Sequence, residues 1–412
     1  MSFPIQEVRA QFPALALTDE GKARVYLDNP AGTQVPQMVV DAVSHAFVHS
    51  NANLGGFFKT TEAAGQVVLD AHRAMADFLG GSEDEIIIGA NMTSLTYHMS
   101  RTLGRTFQAG DEIIVTRMDH EGDVSPWLQM AEDFGLVVRW LPFNEETWQI
   151  EEEALVGLLN SRTKLLALNY ASNLTGSINE VAKLTARAKS VGALVYVDAV
   201  QFAPHGLVDV NELGCDFLAC SSYKFFGPHL GILWGRRELL LELEAYKCRC
   251  STTQLPEKFE TGTPQIELLA GLTTTVDYYD WRGREMGAVG SRRAAIVEAV
   301  DRAIAYENVL MARLISGLKA LPGVNIHGIT NDNRFSDRVP TVSITHDKKT
   351  PDEIAKSLSD KNVFVWSGHN YAFEVVRQLG IDEDTGVVRI GAAHYNTLEE
   401  IEACLEAVAA AL

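Results

Sequence analysis

The sequence of 412 residues predicts an α/β fold with a mostly parallel sheet, followed by a smaller α+β unit. Short apolar runs alternate with amphipathic stretches along much of the chain, which is typical of strands that alternate with helices. Because these runs are almost continuously apolar, we expect both faces of their sheet to be buried, as in parallel sheets. A long helical stretch follows, and the pattern beyond it indicates a separate unit.

The predicted elements of the large unit follow in a regular order. Apolar positions in residues 61–79 recur at helical spacing, and the glycine pair at 80–81 ends that helix. Another helix is predicted to begin near residues 93–94. Apolar runs predict strands at 85–89, 112–116, 136–141, 164–169, 193–198 and 215–220.

The helical stretch 291–321 connects to the smaller unit. There the sequence predicts strands at 339–345, 363–366 and 387–390 and helices at 351–358 and 397–412. We therefore predict a large α/β domain over residues 19–290 and a small α+β domain formed by residues 1–18 with 291–412.

Composition and charge disfavour several classes of partner. The chain has 35 Lys and Arg against 54 Asp and Glu, a net charge of −19, which disfavours binding to nucleic acid or to an anionic membrane. No apolar run approaches the ~20 residues of a membrane span, and no signal peptide is recognisable. Five cysteines in so long a chain do not indicate a disulfide framework. We predict a soluble, cytoplasmic enzyme.

Polar residues follow four of the predicted strands. Asp198, Asn173 and Lys224 each come shortly after an apolar run, and Thr93 follows another. In open α/β sheets, ligands bind beyond the carboxyl ends of the strands. The sequence therefore predicts a ligand site built from these residues.

An aspartate, a lysine and a phosphate cradle at neighbouring strand ends suit pyridoxal 5′-phosphate. Its aldehyde needs a Schiff-base lysine, for which Lys224 is placed, and its ring nitrogen needs a carboxylate, which Asp198 supplies. Its phosphate needs hydroxyls and N–H groups at a helix N-terminus, where Thr93 and Ser94 lie. Each residue alone fits an ordinary turn, helix cap or solvated face. Only the combination predicts the cofactor.

Five segments carry a family resemblance. They are 26–33 (YLDNPAGT), 197–205 (VDAVQFAPH), 221–228 (SSYKFFGP), 259–264 (FETGTP) and 388–396 (VRIGAAHYN). In this order they resemble the class V aminotransferase family of fold-type I pyridoxal phosphate enzymes, which includes cysteine desulfurases, selenocysteine lyases, kynureninases and isopenicillin N epimerase. The resemblance implies a fold-type I transferase whose large domain has a seven-stranded, mostly parallel sheet.

The resemblance also implies roles for individual residues. Lys224 would be the catalytic residue that holds the cofactor and carries protons at the substrate Cα, and Asp198 would pair with the ring nitrogen. Arg389 would bind the substrate carboxylate, for which its planar guanidinium is suited. Thr263 would reach the phosphate of a neighbouring subunit, which implies a homodimer with shared active sites. The remaining expected cofactor contacts are Thr93, Ser94, Asn173, Gln201, Ser221, Tyr223 and His120, and the remaining expected substrate contacts are Asn29, His369 and Tyr371.

Two segments depart from the desulfurase pattern. Desulfurases carry a mobile cysteine that accepts sulfur as a persulfide, but Tyr371 occupies about that position in 365–373. Where they place a ring-stacking histidine, Glu121 aligns and His120 lies one step earlier. The sequence leaves open which of these two residues covers the cofactor ring.

These departures shape the predicted activity. We expect an enzyme that acts on a free amino acid, with β-elimination or C–S cleavage of a cysteine-like substrate and no persulfide on Tyr371. Transamination and epimerisation remain alternatives in the same family, and a non-catalytic binding protein is an alternative of another class.

Cys248 and Cys250 form a poor metal signal because no second Cys/His pair stands at metal-site spacing, so we predict no metal site. Cys250 remains a candidate sulfur acceptor.

Overall fold

Two main sheets organise the chain. The computed structural model describes residues 3–412, so the first two residues of the predicted 1–18 segment lie outside the described part. The strands of the described part, numbered in chain order, are β1 Thr18–Asp19, β2 Lys22–Ala23, β3 Val25–Tyr26, β4 Ile86–Gly89, β5 Glu112–Thr116, β6 Val137–Leu141, β7 Thr163–Asn169, β8 Leu194–Asp198, β9 Phe217–Ser221, β10 Gly231–Gly235, β11 Val324–His327, β12 Thr341–His346, β13 Val363–Phe364, β14 Trp366–Gly368 and β15 Val387–Gly391.

Helices connect and cover these strands. In chain order they are α1 Ile5–Arg9, α2 Gln37–His49, α3 Lys59–Leu79, α4 Met92–Gly104, α5 Ser125–Phe134, α6 Glu152–Leu158, α7 Val181–Lys189, α8 Val210–Leu213, α9 Arg237–Glu242, α10 Ile266–Glu285, α11 Arg292–Lys319, α12 Pro351–Ser359, α13 Phe373–Gln378 and α14 Leu398–Ala411. No helix in the described part is both long and apolar enough to cross a membrane.

The large sheet has the order β4-β10-β9-β8-β7-β5-β6. Strand β10 is antiparallel to both neighbours, and the other pairings are parallel. The predicted mostly parallel, seven-stranded sheet is confirmed. Because β10 reverses the direction twice, β4 runs parallel to β9, and the carboxyl ends of β4, β5, β7, β8 and β9 lie at one edge.

Both faces of this sheet are buried, as the apolar runs predict. Val195 and Val197 of β8 pack in a core with α3, α7 and α10, whereas Tyr196 packs in a second core with α4 and α5. The Tyr196 ring lies edge-on against Trp127, with centroids 5.0 Å apart. Full burial of a large apolar side chain contributes roughly 1.5–3 kcal/mol, so two helical layers hold the strands in place.

The small sheet is antiparallel, in the order β11-β12-β15-β14, and packs with α12, α14 and part of α11 in a third core. The single strand predicted over 363–366 is wrong: β13 pairs with β3, and β14 pairs with β15. Helix α11 joins the two parts, because Ile296 packs in the large core and Leu314 in the third. The division at residue 290 stays a prediction.

Candidate active site

A cleft lies at the carboxyl edge of the large sheet. The structure brings eight of the predicted site residues together in its wall. The lining residues are Asn91, Met92, Thr93, His120, Asn169, Ala171, Asn173, Asp198, Val200, Gln201, Ser221, Tyr223 and Lys224. These eight residues thus meet in one cleft, and the binding of a ligand there stays a prediction.

Asp198 ends β8 and is buried. Its Oδ1 accepts a hydrogen bond from the Val200 amide at 2.8 Å. Burial raises the pKa of Asp198 to about 6, although the Val200 hydrogen bond and the charge of Lys224 act in the opposite direction. The cleft thus holds an acid that ionises readily when a cation lies beside it.

Lys224 lies in the short turn Ser222–Lys224 that follows β9. Its Nζ donates to the carbonyl oxygen of Pro30. Burial, and then the charge of Arg389, lower the pKa of Lys224 to about 7, against the opposite effects of Asp198 and Asp28. Near neutral pH this amine is therefore present in both its protonated and its neutral form.

The N-terminus of α4 points at the same cleft. Asn91 caps the helix by accepting a hydrogen bond from the Ser94 amide at 2.8 Å. The Met92 amide donates to Ser221 Oγ at 3.1 Å, which fixes the end of β9 against the helix. Thr93 and Tyr223 also line the cleft. Hydroxyls beside the N–H groups of a helix N-terminus form a site suited to an anion.

Asn173 precedes Asp198 in the sequence and Gln201 follows it, but both line the same cleft. Gln201 Nε2 donates to Thr341 Oγ1 at 3.1 Å, so the small sheet helps to hold it. Asn173 Nδ2 donates to the Asn370 carbonyl at 2.8 Å, whereas its buried Oδ1 has no donor in the described chain. That oxygen is free to accept a hydrogen bond from a ligand.

Arg389 lies on β15 and is buried. Its Nη1 donates to the Asn173 carbonyl at 3.1 Å, and its Nε has no partner in the described residues. Burial lowers the pKa of Arg389 to about 10, against the opposite effects of Asp28 and Tyr223. The guanidinium therefore stays charged at neutral pH, with donor capacity to spare.

Asp28 is a site residue that the sequence argument missed. Its Oδ1 is buried without a donor among residues 3–412. Burial raises the pKa of Asp28, while the charges of Arg389 and Lys224 act in the opposite direction. Asp28 therefore lies close enough to Lys224 and Arg389 for their charges to affect it. A signal was present, since Asp28 lies inside the segment 26–33 that supported the family resemblance.

His120, and not Glu121, lines the cleft. His120 Nδ1 accepts from the Gly122 amide at 2.9 Å. Burial, and then the charges of Lys224 and Arg389, lower the pKa of His120 to about 3, so the ring is neutral. The Glu121 carboxylate instead accepts from Ser125 Oγ at 2.5 Å.

The loop between β14 and α13 places Tyr371 over His120, with ring centroids 5.3 Å apart and planes 20° from parallel. The Tyr371 amide donates to His369 Nδ1 at 3.0 Å, and the Glu121 amide donates to the Tyr371 carbonyl at 2.8 Å. Tyr371 is 63% exposed and adopts a φ of +60°, which is uncommon for a bulky residue. Tyr371 and His369 thus lie at the rim.

Ser94 and Thr263 lie outside the cleft, together in a second cavity. Glu260, just before Thr263, accepts hydrogen bonds from His72 Nε2 at 2.9 Å and from the Ile88 amide at 2.7 Å. These bonds anchor the segment that carries Thr263. The structure therefore does not bring Ser94 or Thr263 to the cleft of their own chain.

Asn29 also lies away from the cleft wall. Its Nδ2 donates to the Gly391 carbonyl at 2.8 Å and to Asn396 Oδ1 at 3.1 Å, so it joins the segment 26–33 to the end of β15.

In the described residues 3–412, no group of three or more His, Cys, Asp or Glu side chains could hold a metal ion. Cys248 and Cys250 are exposed, and neither lines the cleft.

Comparison with known proteins identifies the family. The family model described as aminotransferase class V matches residues 25–404. The chain is 30% identical over 416 residues to "Aminotransferase-like protein FGM3" of Gibberella zeae, covering 99% of this chain and 98% of that one. It is 31% identical over 418 residues to a cysteine desulfurase of Pectobacterium carotovorum, covering 98% and 96% of the two chains.

Solved structures of cysteine desulfurases share the fold of this chain. The apo structure of a cysteine desulfurase from Thermococcus onnurineus NA1 matches with a TM-score of 0.87 and 29% identity, over 100% of this chain and 98% of that one. The cysteine desulfurase CsdA of Escherichia coli matches with a TM-score of 0.85 and 26% identity, over 100% and 99%. The predicted fold-type I architecture, the enzyme class and the cofactor pyridoxal 5′-phosphate are confirmed. This chain belongs to the class V aminotransferase family.

Proposed function

We propose that this enzyme cleaves the carbon–sulfur bond of a free, cysteine-like amino acid by β-elimination, without transferring the sulfur to a cysteine of its own chain. The observation that carries this proposal is the position of Tyr371, stacked on His120 at the rim where the resemblance would place a sulfur-accepting cysteine. Among residues 3–412, no cysteine lines the cleft. The relatives named cysteine desulfurase support a sulfur-containing substrate.

The donors and acceptors of the cleft fit pyridoxal 5′-phosphate. Within the part of the chain that the structure describes, Asp198 is a buried acid without an ion-pair partner and Asn173 Oδ1 is a buried acceptor without a donor. Lys224 is an amine with a pKa of about 7. When bound, the cofactor supplies an electron-withdrawing ring that stabilises negative charge at the substrate Cα. Asp198 would hold the proton of its ring nitrogen, and Gln201 and Asn173 would contact its phenolic oxygen.

The N-terminus of α4 would hold the phosphate. Thr93, Ser221 and Tyr223 contribute hydroxyls there, and the helix contributes N–H groups and the positive end of its dipole. His120 is neutral and lies in the same cleft, where its flat ring can cover the face of an aromatic ligand. We assign that covering role to His120 because the Glu121 carboxylate is held by Ser125.

Lys224 would move the proton at the substrate Cα. A group whose pKa lies near the working pH can both remove and return a proton, and the pKa of Lys224 is about 7. Arg389 would bind the substrate carboxylate through its free donors, which would place the Cα beside Lys224. The substrate carboxylate would thus be bound from the small sheet, and the Cα proton would be moved by a residue of the large sheet's edge.

The active site would be completed by a second copy of the chain. Thr263 lies in the second cavity and not in the cleft of its own chain, which supports a role across a subunit interface. Large apolar side chains on α2 and the loop after it are exposed, in particular Phe47 at 56% and Phe57 at 102%. Exposed apolar patches of this kind mark interaction surfaces. We therefore propose a homodimer.

The activity test compares products. The cofactor-loaded protein is incubated with L-cysteine, L-cystine or L-alanine, while sulfide, pyruvate, alanine and other keto acids are assayed and the visible absorbance is recorded. β-Elimination converts L-cysteine and water to pyruvate, ammonia and sulfide, so equal yields of pyruvate and sulfide are expected. Alanine as the product, with sulfur retained on the protein, would contradict the proposal.

Two variants make this test specific. Lys224→Ala is expected to abolish turnover while leaving the fold intact, as measured by circular dichroism. The double variant Cys248→Ser, Cys250→Ser is expected to release sulfide at the unchanged rate, because both thiols are exposed outside the cleft. A loss of sulfide release in the double variant would identify one of them as a sulfur acceptor.

Transamination is the second candidate function. The relative named "Aminotransferase-like protein FGM3", 30% identical over nearly the whole chain, favours it. In the same assay it would convert an amino acid to the matching keto acid, without sulfide, and convert the visible band to that of the amine form of the cofactor.

A further inference from the structure

Two further acidic side chains lie beside Asp198. Asp119 follows β5, and Asp123 lies in the turn Glu121–Asp123; their exposed fractions are 1% and 0%. Both lie close enough to Asp198 to be affected by its charge. Three acids therefore share one buried region next to the cleft.

The hydrogen bonds of Asp119 and Asp123 satisfy only one oxygen of each carboxyl group. Thr116 Oγ1 donates to Asp119 Oδ2, and Trp127 Nε1 donates to Asp123 Oδ1 at 3.0 Å. The other two oxygens, Asp119 Oδ1 and Asp123 Oδ2, are buried without a donor in the described chain. The two carboxyl groups are within hydrogen-bonding range of each other. One proton between them would satisfy both oxygens, since a carboxylate can only accept.

The charges around Asp119 and Asp123 favour the protonation of one of the two carboxyl groups. No Lys or Arg of residues 3–412 forms an ion pair with Asp119 or Asp123, and the titratable groups that face them are Asp198, Glu121 and the Tyr196 phenol. Burial, and then the neighbouring acids, raise the pKa of Asp123 well above its ordinary value. Burial likewise raises the pKa of Asp119. Two buried carboxylates side by side without a cation would repel strongly.

We propose that Asp119 and Asp123 share one proton, carried by Asp123 and donated to Asp119, and that this pair is a positioning unit for the charge of Asp198. By holding a proton, the pair halves the negative charge beside Asp198. Asp198 is then the acid of the cluster that ionises when the cofactor's ring nitrogen lies next to it. This last step rests on the role proposed above for Asp198; the shared proton does not.

Proton linkage tests the pair without any substrate. If Asp123 keeps a proton in the folded protein and loses it on unfolding, the folding equilibrium constant falls about tenfold per pH unit above the unfolded pKa of about 4. The cofactor-loaded full-length protein and its Asp123→Asn variant are unfolded in urea between about pH 5.5 and 7.5, at one protein concentration. The amide of asparagine donates the same hydrogen bond but binds no extra proton.

The ratio of the wild-type to the Asp123→Asn folding constant is expected to fall about 100-fold over those two pH units. A ratio that does not change with pH would overturn the proposal. Glu112→Gln is the matched control, because Glu112 is equally buried but is paired with Arg139 and Arg162, which lower its pKa to about 2. Its ratio is expected to be constant over this range.

A second measurement covers the case in which Asp123→Asn fails to fold. The wild-type protein is expected to show an infrared carbonyl stretch of a buried, protonated carboxyl group at neutral pH, and the single variant Asp119→Asn serves for its assignment. The absence of that band from the wild-type protein would overturn the proposal. Neither readout depends on C–S cleavage, so a failure of the proposed reaction would be seen separately, in the product assay.

Discussion

The ring of Tyr371 lies nearly parallel to the ring of His120, with centroids 5.3 Å apart, and the same two loops are joined by the hydrogen bond from the Glu121 amide to the Tyr371 carbonyl. A side chain from the small sheet's loop therefore covers one that faces the cleft. Because His120 lines the cleft, the conformation of the rim loop that carries Tyr371 and the conformation of the cleft wall depend on each other.

Tyr371→Ala should weaken substrate binding, whereas Tyr371→Phe should not. A stacked aromatic pair contributes about 1 kcal/mol, which corresponds to roughly a fivefold rise in KM when it is lost. Phenylalanine keeps the ring, so its KM is expected to stay within about twofold of the wild-type value. Steady-state kinetics on both variants checks this. Equal behaviour of the two would mean that the phenol group, and not the ring, matters.

Arg389→Gln should raise KM for amino acids about 30-fold, and Arg389→Lys should raise it less. Removing one partner of a buried charged pair costs about 2 kcal/mol or more, and lysine keeps the charge but not the two-pronged geometry. The control is Arg313→Gln, which removes an exposed ion pair with Glu402 and should leave KM unchanged. An unchanged KM in Arg389→Gln would place the substrate carboxylate elsewhere.

Cofactor loading should depend on pH through Lys224. Only a neutral amine attacks an aldehyde, and the pKa of Lys224 is about 7 because of burial and the charge of Arg389. The rate at which unloaded protein gains its visible band should therefore rise with pH up to about 7 and level off above it. Arg389→Gln removes a neighbouring cation, so its midpoint should move to higher pH. A midpoint near that of free lysine in the wild-type protein would contradict this assignment.

The pair of His72 and Glu260 should give the protein a pH-dependent stability. Burial alone lowers the pKa of His72, but the hydrogen bond and charge of Glu260, with the Val68 carbonyl, outweigh it and raise the pKa. The stabilisation is then complete below the unfolded pKa of about 6.5 and is lost as pH rises through the folded pKa. His72→Gln should therefore lower Tm more at pH 6 than at pH 9.

The matched measurement is the same pair of Tm values for Arg73→Gln. Arg73 is the neighbouring residue on α3, and its ion pair with Glu83 is exposed. Its effect on Tm should be small at both pH values. Equal losses in Tm at the two pH values for His72→Gln would show that His72 is neutral in the folded protein.

The parts of the fold that the sequence predicts well are those in which local pattern and burial agree. Strand β8 is an unbroken apolar run that ends in a polar residue, so both the strand and the position of Asp198 follow from it. The residues alone do not predict strand β10, because both ends of its five-residue run are glycines.

The residues that the sequence placed less well depend on contacts far along the chain. Asp28 faces Lys224 and Arg389, which lie about two hundred and more residues away in sequence, and no local pattern reports such a meeting. Ser94 was expected beside Thr93 in the cleft, but successive residues of a helix point in different directions, so only Thr93 lies there. The choice between His120 and Glu121 likewise required the turn geometry.

The division of labour between the two sheets has a consequence for how such an enzyme diversifies. Asp198 ends a strand of the large sheet and Lys224 follows another, whereas Arg389 lies within the small sheet and Tyr371 on a loop from it. One direct link between the two parts is the hydrogen bond from Arg389 to the Asn173 carbonyl. Under the roles proposed above, amino-acid preference is expected to change through replacements in the small sheet and its loops, while the residues at the strand ends of the large sheet stay the same.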